Sequence, residues 1–243
     1  MALPNKNDAM HKAWLYRILE RIADDAPLPT VLRFKGGTCA SMLGWLDRFS
    51  VDLDFDYAGD SAQIVATRAA FERIFHVLGL SIKDSSKQGI QYFLRYDGAG
   101  RNTIKIDTSF PLLSANTYAP QRLHEIDRVL TCQTMETMFA HKLLALIGRS
   151  DKHGSIAGRD VYDVHFFFMR GYQYSVDVIR EGSGLDTKDF FTKLYAFVDR
   201  TVTDKILSED LNYLLPAAQF QVIRKVLKRE ALTLIRDEIA RLS

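Results

Sequence analysis

The chain has 243 residues, of which 47% are apolar and 26% charged, and its formal net charge is +2. These values are typical of a globular protein, and they exclude a disordered chain or one with a basic field over its whole surface. Two cysteines far apart in the sequence, and the lack of an apolar leader or of a span of ~20 apolar residues, predict a soluble cytoplasmic protein without a membrane partner.

The first half of the chain mixes helical and strand patterns. Apolar residues recur at helical spacing over 10–24, and Pro27 and Pro29 end that helix. The predicted elements that follow are a strand over 30–35, a Gly-Gly-Thr turn at 36–38 with a short helix behind it, a strand over 51–57, a capped helix over 61–79, and strands over 80–84, 90–97 and 102–110. The last two strands are joined by Gly-Ala-Gly-Arg, which indicates a hairpin.

The second half of the chain is predicted to be helical. Helices are expected over 134–149, 159–170, 186–200 and 216–242, with a polar loop over 150–158. The change of pattern falls between residues 111 and 133. We therefore expect an α/β domain over 1–120 and a helical domain over 121–243.

Three acids alternate on the strand predicted over 51–57. Asp52 and Asp54 are two residues apart, so their carboxylates lie on one face of a strand and repel each other. Carboxylate oxygens at that spacing are typical ligands of Mg²⁺. An exposed edge strand with solvated acids is the alternative, but Leu53 and Phe55 indicate that the opposite face is buried.

Two further features favour a site for a phosphate ester. The backbone N–H groups of the turn Gly36–Thr38 precede a helix and can bind phosphate oxygens. Asp107 follows Ile104 and Ile106 in alternation and would be the third carboxylate of a two-metal site.

These motifs carry a family resemblance. They are Lys35-Gly36-Gly37-Thr38, the run Arg48–Phe55 (Arg-Phe-Ser-Val-Asp-Leu-Asp-Phe), Lys105-Ile106-Asp107, the helix Phe139–Arg149, and Arg159-Asp160-Val161-Tyr162-Asp163. Together they resemble the polymerase-β-type nucleotidyltransferases and, more narrowly, the AbiEii branch with its MenT-like toxins. The resemblance implies an α+β fold, in which a mixed sheet with flanking helices is followed by a C-terminal helical bundle.

The resemblance also implies roles for individual residues. It assigns Asp52, Asp54 and Asp107 to Mg²⁺, with Mn²⁺ as an alternative. The implied nucleotide-binding residues are Gly36, Gly37, Thr38, Arg48, Ser50, Lys142 and Arg149. The implied catalytic residues are Asp52, Asp54, Asp107, Lys142 and Asp160, and Asp160 would orient Lys142 or assist deprotonation.

The helical motifs also have simpler interpretations. Lys142 could extend from an apolar stripe to water, and Asp163, on one helix face with Asp160, could form a plain surface ion pair with Arg159. A set of C-terminal cations (Arg224, Lys225, Lys228, Arg229, Arg236 and Arg241) could be a solvated face or could follow RNA phosphates.

The resemblance implies a toxin that transfers NMP from an NTP to an acceptor, with a tRNA 3′ end as the expected acceptor and a cognate antitoxin as the expected partner. The transfer would block translation. Two alternatives stay open: a small-molecule nucleotidyltransferase of the antibiotic-modifying kind, and a nucleotide-binding regulator without catalysis. The resemblance leaves the oligomeric state open.

Overall fold

A computed structural model describes residues 3–4, 8–98, 101–153 and 157–242, without the side chains of 149–153. Two compact units divide the chain. The first comprises Leu3–Leu112 and Tyr118–Gln133, and the second comprises Leu113–Thr117 and the chain from Thr134 onwards. Among the described residues, no helix is both long enough and apolar enough to cross a lipid bilayer.

The first unit is built on a mixed sheet. Its described strands are β1 (Leu32–Lys35), β2 (Leu53–Tyr57), β3 (Ser81–Ser85), β4 (Gln91–Arg95), β5 (Thr103–Ser109), β6 (Tyr118–Leu123) and β7 (Arg128–Gln133). Their order in the sheet is β3-β4-β5-β2-β1-β7-β6. β2 is parallel to β5 and β1 is parallel to β7, whereas the other neighbours are antiparallel.

Alternation along the strands separates a buried face from a polar one. Leu53 and Phe55 of β2 are 0% and 1% exposed, and Ile106 of β5 is fully buried beside Leu53. The helices of this unit are α1 (Asp8–Asp24), α2 (Leu28–Val31), α3 (Gly36–Met42) and α4 (Ile64–Val77), and a 3₁₀ turn (Ser61–Gln63) precedes α4. The acids of β2 therefore lie on the face opposite Leu53 and Phe55.

The second unit is helical in its described part. Its helices are α5 (Met135–His153), α6 (Gly158–Met169), α7 (Val176–Ser183), α8 (Thr187–Thr201), α9 (Asp204–Leu211), α10 (Ala217–Ile223) and α11 (Leu227–Arg241). Phe167 and Phe191 are fully buried in this unit, and Phe139 packs edge-on against Phe167 with the ring centroids 5.2 Å apart. The α+β fold with C-terminal helices is confirmed.

The hairpin of β6 and β7 was not predicted from the sequence. Buried and exposed residues alternate only weakly along β6, which also contains Pro120. The proline is tolerated because β6 lies at the edge of the sheet. The predicted division between residues 120 and 121 falls inside β6, and both strands belong to the first unit.

Two predictions for the second unit differ from the structure, and two of its described helices were not predicted. α5 continues to His153, so residues 150–153 of the predicted loop are helical, and 154–156 lie outside the described residues. The helix predicted over 216–242 is interrupted at 224–226, between α10 and α11. The short helices α7 and α9 were not predicted.

Asp56, the second acid of β2, connects β2 to three other strands, which are β1, β6 and β7. Its side chain is 2% exposed and accepts from Lys35 Nζ on β1 at 2.6 Å. It also accepts from Tyr118 Oη at 2.9 Å and from Gln133 Nε2 at 2.6 Å. Asp56 is therefore a structural carboxylate, whose charge is balanced inside the protein.

Replacing Asp56 with alanine should destabilise the first unit strongly. Lys35 would lose its buried partner, and breaking a buried ion pair from one side costs about 3–5 kcal/mol. Urea denaturation of Asp56→Ala measures this loss. Asp24→Ala is the control, because the contact of Asp24 with Arg128 is solvent-exposed, and its stability should barely change. Equal effects of the two changes would show that Asp56 is dispensable.

Candidate active site

One row of polar side chains crosses four neighbouring strands. Asp54 on β2 is in register with Asp107 on parallel β5 and with Lys35 on antiparallel β1. Asp107 is in register with Gln91 on β4. Because residues in register point to the same face of a sheet, the row places the carboxylates of Asp54 and Asp107 side by side. The sheet topology thus joins two acids that are 53 positions apart in the sequence.

Two neighbours hold the carboxylate of Asp107. Lys105 lies two residues earlier on the same face of β5, and its Nζ is 2.5 Å from Asp107 Oδ2. Gln91 Nε2 donates to Asp107 Oδ1 at 3.0 Å. Both side chains were outside the predicted site, although the i, i+2 spacing of Lys105 and Asp107 was a usable signal.

Of the three predicted metal ligands, Asp54 and Asp107 are in register on neighbouring strands, whereas Asp52 lies just before β2. Among the described residues, no three His, Cys, Asp or Glu side chains converge closely enough to surround an ion. Asp107 and Lys105 instead form an ion pair whose side chains are 32% and 30% exposed. The positive charge of Lys105 reduces the repulsion between Asp107 and Asp54.

Asp52 lies immediately before β2, in a backbone segment that is fixed from two sides. Thr38 Oγ1 of α3 donates to the Asp52 carbonyl at 2.5 Å. His11 Nε2 of α1 donates to the Val51 carbonyl at 2.8 Å, and His11 Nδ1 lies 3.0 Å from the Tyr96 hydroxyl. Burial lowers the pKa of His11, which keeps the imidazole neutral near pH 7. A single buried histidine in an amphipathic helix gives no sequence signal for this role.

Gly36 allows β1 and β2 to approach each other at the site. Its φ is +78°, and a Cβ at this position would lie 2.5 Å from Asp54 Oδ2. Any other residue would both strain the backbone and displace the carboxylate. The predicted turn is the beginning of α3, so Gly36 leads directly into helical backbone.

Gly37 allows a second close approach, on the side of the predicted nucleotide-binding residues Arg48 and Ser50. A Cβ on Gly37 would lie 2.9 Å from both Arg48 Nη2 and Ser50 Oγ. Arg48 is 2% exposed and donates through Nη1 to the Phe49 carbonyl at 2.9 Å, while Ser41 Oγ donates to the Arg48 carbonyl. Arg48 and Ser50 therefore shape the backbone around Gly37.

Lys142, in the second unit, is part of a buried ion cluster. Its Nζ lies 3.1 Å from Asp160 Oδ1 and 2.8 Å from Asp163 Oδ2. The Lys142 side chain is 13% exposed, and those of Asp160 and Asp163 are 1% and 0% exposed. This burial excludes both a lysine that extends to water and a surface ion pair. Arg149 lies in α5, and its side chain is outside the described residues.

A family model matches residues 17–233, which is most of the chain. Its description is the nucleotidyl transferase AbiEii toxin of type IV toxin–antitoxin systems. The matched range contains the acids of β2 and β5 as well as the cluster around Lys142.

Solved structures show the same fold. The structure of JHP933 from Helicobacter pylori is 20% identical to this chain, with a TM-score of 0.61 over 99% of this chain and 95% of that one. A candidate nucleotidyltransferase from H. pylori is also 20% identical, with a TM-score of 0.59 over 98% of this chain and 99% of that one. The chain has no significant match among curated protein sequences.

Gly36→Ala should destabilise the first unit more than Gly79→Ala. Both glycines have left-handed backbones, with φ of +78° and +68°, and that strain costs an alanine about 1–2 kcal/mol. Of the two, only at Gly36 does the added Cβ meet a side chain, since no atom of the described residues lies within 4 Å of it at Gly79. Urea denaturation compares the two variants. Equal losses would mean that Asp54 can move aside.

Lys142→Met should lower the stability of the second unit by about 3–5 kcal/mol, because two buried carboxylates lose their cation. Adding Asp163→Asn should recover part of that loss. Lys205→Met removes a lysine from an exposed i, i+4 pair with Glu209 and is the control, with an expected loss below about 1 kcal/mol. If Lys142→Met behaves like Lys205→Met in chemical denaturation, the cluster does not stabilise the fold.

Proposed function

The chain belongs to the AbiEii family of nucleotidyltransferase toxins, and from this membership we propose that it transfers NMP from an NTP to the 3′ end of a tRNA. The observation that carries the proposal is the register of Asp54 with Asp107, directly beside Gly36. Two neighbouring strands thus place the carboxylates of Asp54 and Asp107 in register, and Gly36, which has no side chain, leaves space beside Asp54. This arrangement supports chemistry on a polyphosphate held by a cation.

The proposed reaction is a displacement at phosphorus. The terminal hydroxyl oxygen of the acceptor forms a bond to the α-phosphorus of the NTP, and the bond from that phosphorus to the bridging oxygen breaks. Pyrophosphate leaves with the electron pair of the broken bond, and the hydroxyl proton passes to a base or to water. The transition state gains negative charge on the phosphoryl oxygens, which positive groups must stabilise.

The donor chemistry of Asp52, Asp54 and Asp107 fits a divalent cation such as Mg²⁺ or Mn²⁺, because hard carboxylate oxygens are its preferred ligands. When bound, such a cation supplies positive charge to the phosphate oxygens and to the attacking oxygen. The chain itself contributes the fixed positions of these acids. His11 and Thr38 hold the backbone at Asp52, and Lys105 and Gln91 hold Asp107.

The other predicted contacts belong to the same proposal. Gly36, Gly37 and Thr38 would lie along the phosphates, with Arg48 and Ser50 supporting that backbone. Lys142 and Arg149 would neutralise triphosphate charge, and Asp160 would orient Lys142, which accords with their 3.1 Å contact.

Family membership also supports a protein partner. A type IV toxin implies a cognate antitoxin, and we propose that such a protein neutralises this chain in the cytoplasm. A small-molecule acceptor is the alternative function. Incubating the protein with each labelled NTP, a divalent cation, and either total tRNA or aminoglycosides distinguishes the two. Label in the tRNA supports the proposal, whereas label only in the small molecule contradicts the choice of acceptor.

Asp54→Asn should reduce kcat/KM for nucleotidyl transfer by at least about 10²-fold, since charge stabilisation by a bound metal is worth several kcal/mol and 1.4 kcal/mol is a factor of ten. The fold should persist, because the change removes one of several mutually repelling charges. Asp84→Asn, at an exposed acid of β3 in the same sheet, is the control and should keep full activity. Normal turnover by Asp54→Asn would exclude these carboxylates from catalysis.

A further inference from the structure

A basic groove lies in the second unit between α8 and α11. It has a volume of about 370 Å³ and is lined by Tyr195, Lys225, Lys228, Arg229, Leu232, Thr233 and Arg236. We call this set the α8–α11 groove. Among the described residues that line it, none is acidic.

The cations of the groove are available for an external anion. Lys225, Arg229 and Arg236 are exposed, and within the described part of the chain none of them forms an ion pair with a carboxylate. Lys228 is half-buried, and its Nζ donates to the Asp199 carbonyl of α8 at 2.8 Å, which fixes its position at the groove wall.

Two acids of α11 are engaged outside the groove. Glu230 Oε2 lies 2.8 Å from His165 Nε2, and Glu238 forms an ion pair with Arg241 at 2.5 Å. These contacts leave an excess of positive charge along the groove. Such a concentration of like charges is unfavourable in isolation, and an anion would offset the repulsion.

The length of the basic row indicates a polyanion rather than a single phosphate. Lys228 and Arg236 are eight residues apart on α11, which corresponds to about 12 Å along the helix at 1.5 Å per residue. Lys225 extends the row beyond the start of α11. A row of this length can contact several consecutive phosphates of a nucleic acid strand, while the half-buried ring of Tyr195 can contact a base.

We propose that the α8–α11 groove binds the sugar–phosphate backbone of the acceptor RNA, an inference that rests on the proposed transfer to tRNA. Contacts to phosphates carry no sequence information, so the groove supplies affinity and orientation rather than selection of one tRNA. Only four of the six C-terminal cations named from the sequence line the groove. Arg224 lies outside it and stacks on Phe220, with its guanidinium carbon 5.8 Å from the ring centroid.

Binding of labelled total tRNA, measured by fluorescence anisotropy against salt concentration, tests the groove. Each phosphate contact with a single strand contributes about −0.7 to the slope of the logarithm of the binding constant against the logarithm of salt concentration, so four contacts predict a slope of about −3. The double charge reversal Lys225→Glu with Arg229→Glu removes two contacts. It should make the slope less steep by about 1.4 and weaken binding at 0.1 M salt by about 25-fold.

The control is Lys193→Glu with Arg200→Glu, which makes the same change in net charge at exposed positions of α8 outside the groove. It should leave the slope unchanged and weaken binding much less than the groove reversal. Thermal melts of both variants show whether the fold is intact. A groove variant that binds tRNA like the control, or a wild-type protein that does not bind tRNA at low salt, would overturn the inference.

Binding of polyglutamate of matched length, measured in the same way, shows whether the groove prefers RNA or an acidic protein. Binding of polyglutamate as tight as that of tRNA, with the same loss in the groove variant, would assign the groove to acidic proteins and overturn the RNA assignment. The transfer assay separates this inference from the proposed function. If the groove variant labels tRNA as well as the wild type does, the proposed transfer stands and the role of the groove in RNA binding is excluded. If the protein binds tRNA through the groove but transfers no nucleotide to it, only the proposed function is contradicted.

Discussion

The structure of the first unit depends on placing several carboxylates on one face of a sheet. Like charges on neighbouring strand positions repel, so each acid requires a local source of positive charge. Asp56 has Lys35, with hydrogen bonds from Tyr118 and Gln133, and Asp107 has Lys105. Buried compensation at Asp56 stabilises the fold, whereas the ion pair of Asp107 with Lys105 is about one-third exposed and accessible from the solvent. This difference in burial separates a structural acid from a candidate catalytic one.

Much of this arrangement could be predicted from local sequence. The alternation around Leu53 and Phe55 correctly placed Asp54 and Asp56 on the opposite face of a strand, and the two adjacent glycines correctly marked the start of a short helix. The pairing of Asp54 with Asp107 did not follow from either segment, since it depends on β2 and β5 being parallel neighbours in the sheet. Periodicity identifies the face of a strand but not its neighbours.

Other parts of the structure could not be predicted from local sequence patterns. His11 acts through the carbonyl of Val51, 40 positions away, and an isolated histidine is consistent with many environments. The edge strand β6 tolerates Pro120 only because one of its sides has no partner strand. The resemblance implied that Asp160 orients Lys142, but the burial of these two side chains with Asp163 depends on how α5 packs against α6. Long-range packing decides each of these cases.

We propose that Asp54 and Asp107 together bind a divalent ion, which relieves the repulsion between their two carboxylates. Urea denaturation of the wild type and of Asp54→Asn, each with and without Mg²⁺, tests it without reference to any acceptor. We expect Mg²⁺ to raise the free energy of unfolding of the wild type as its concentration increases, because an ion that binds only the folded state stabilises it. Asp54→Asn should be at least as stable as the wild type without Mg²⁺ and should gain little from it. Equal responses of both proteins, or none in either, would contradict the account.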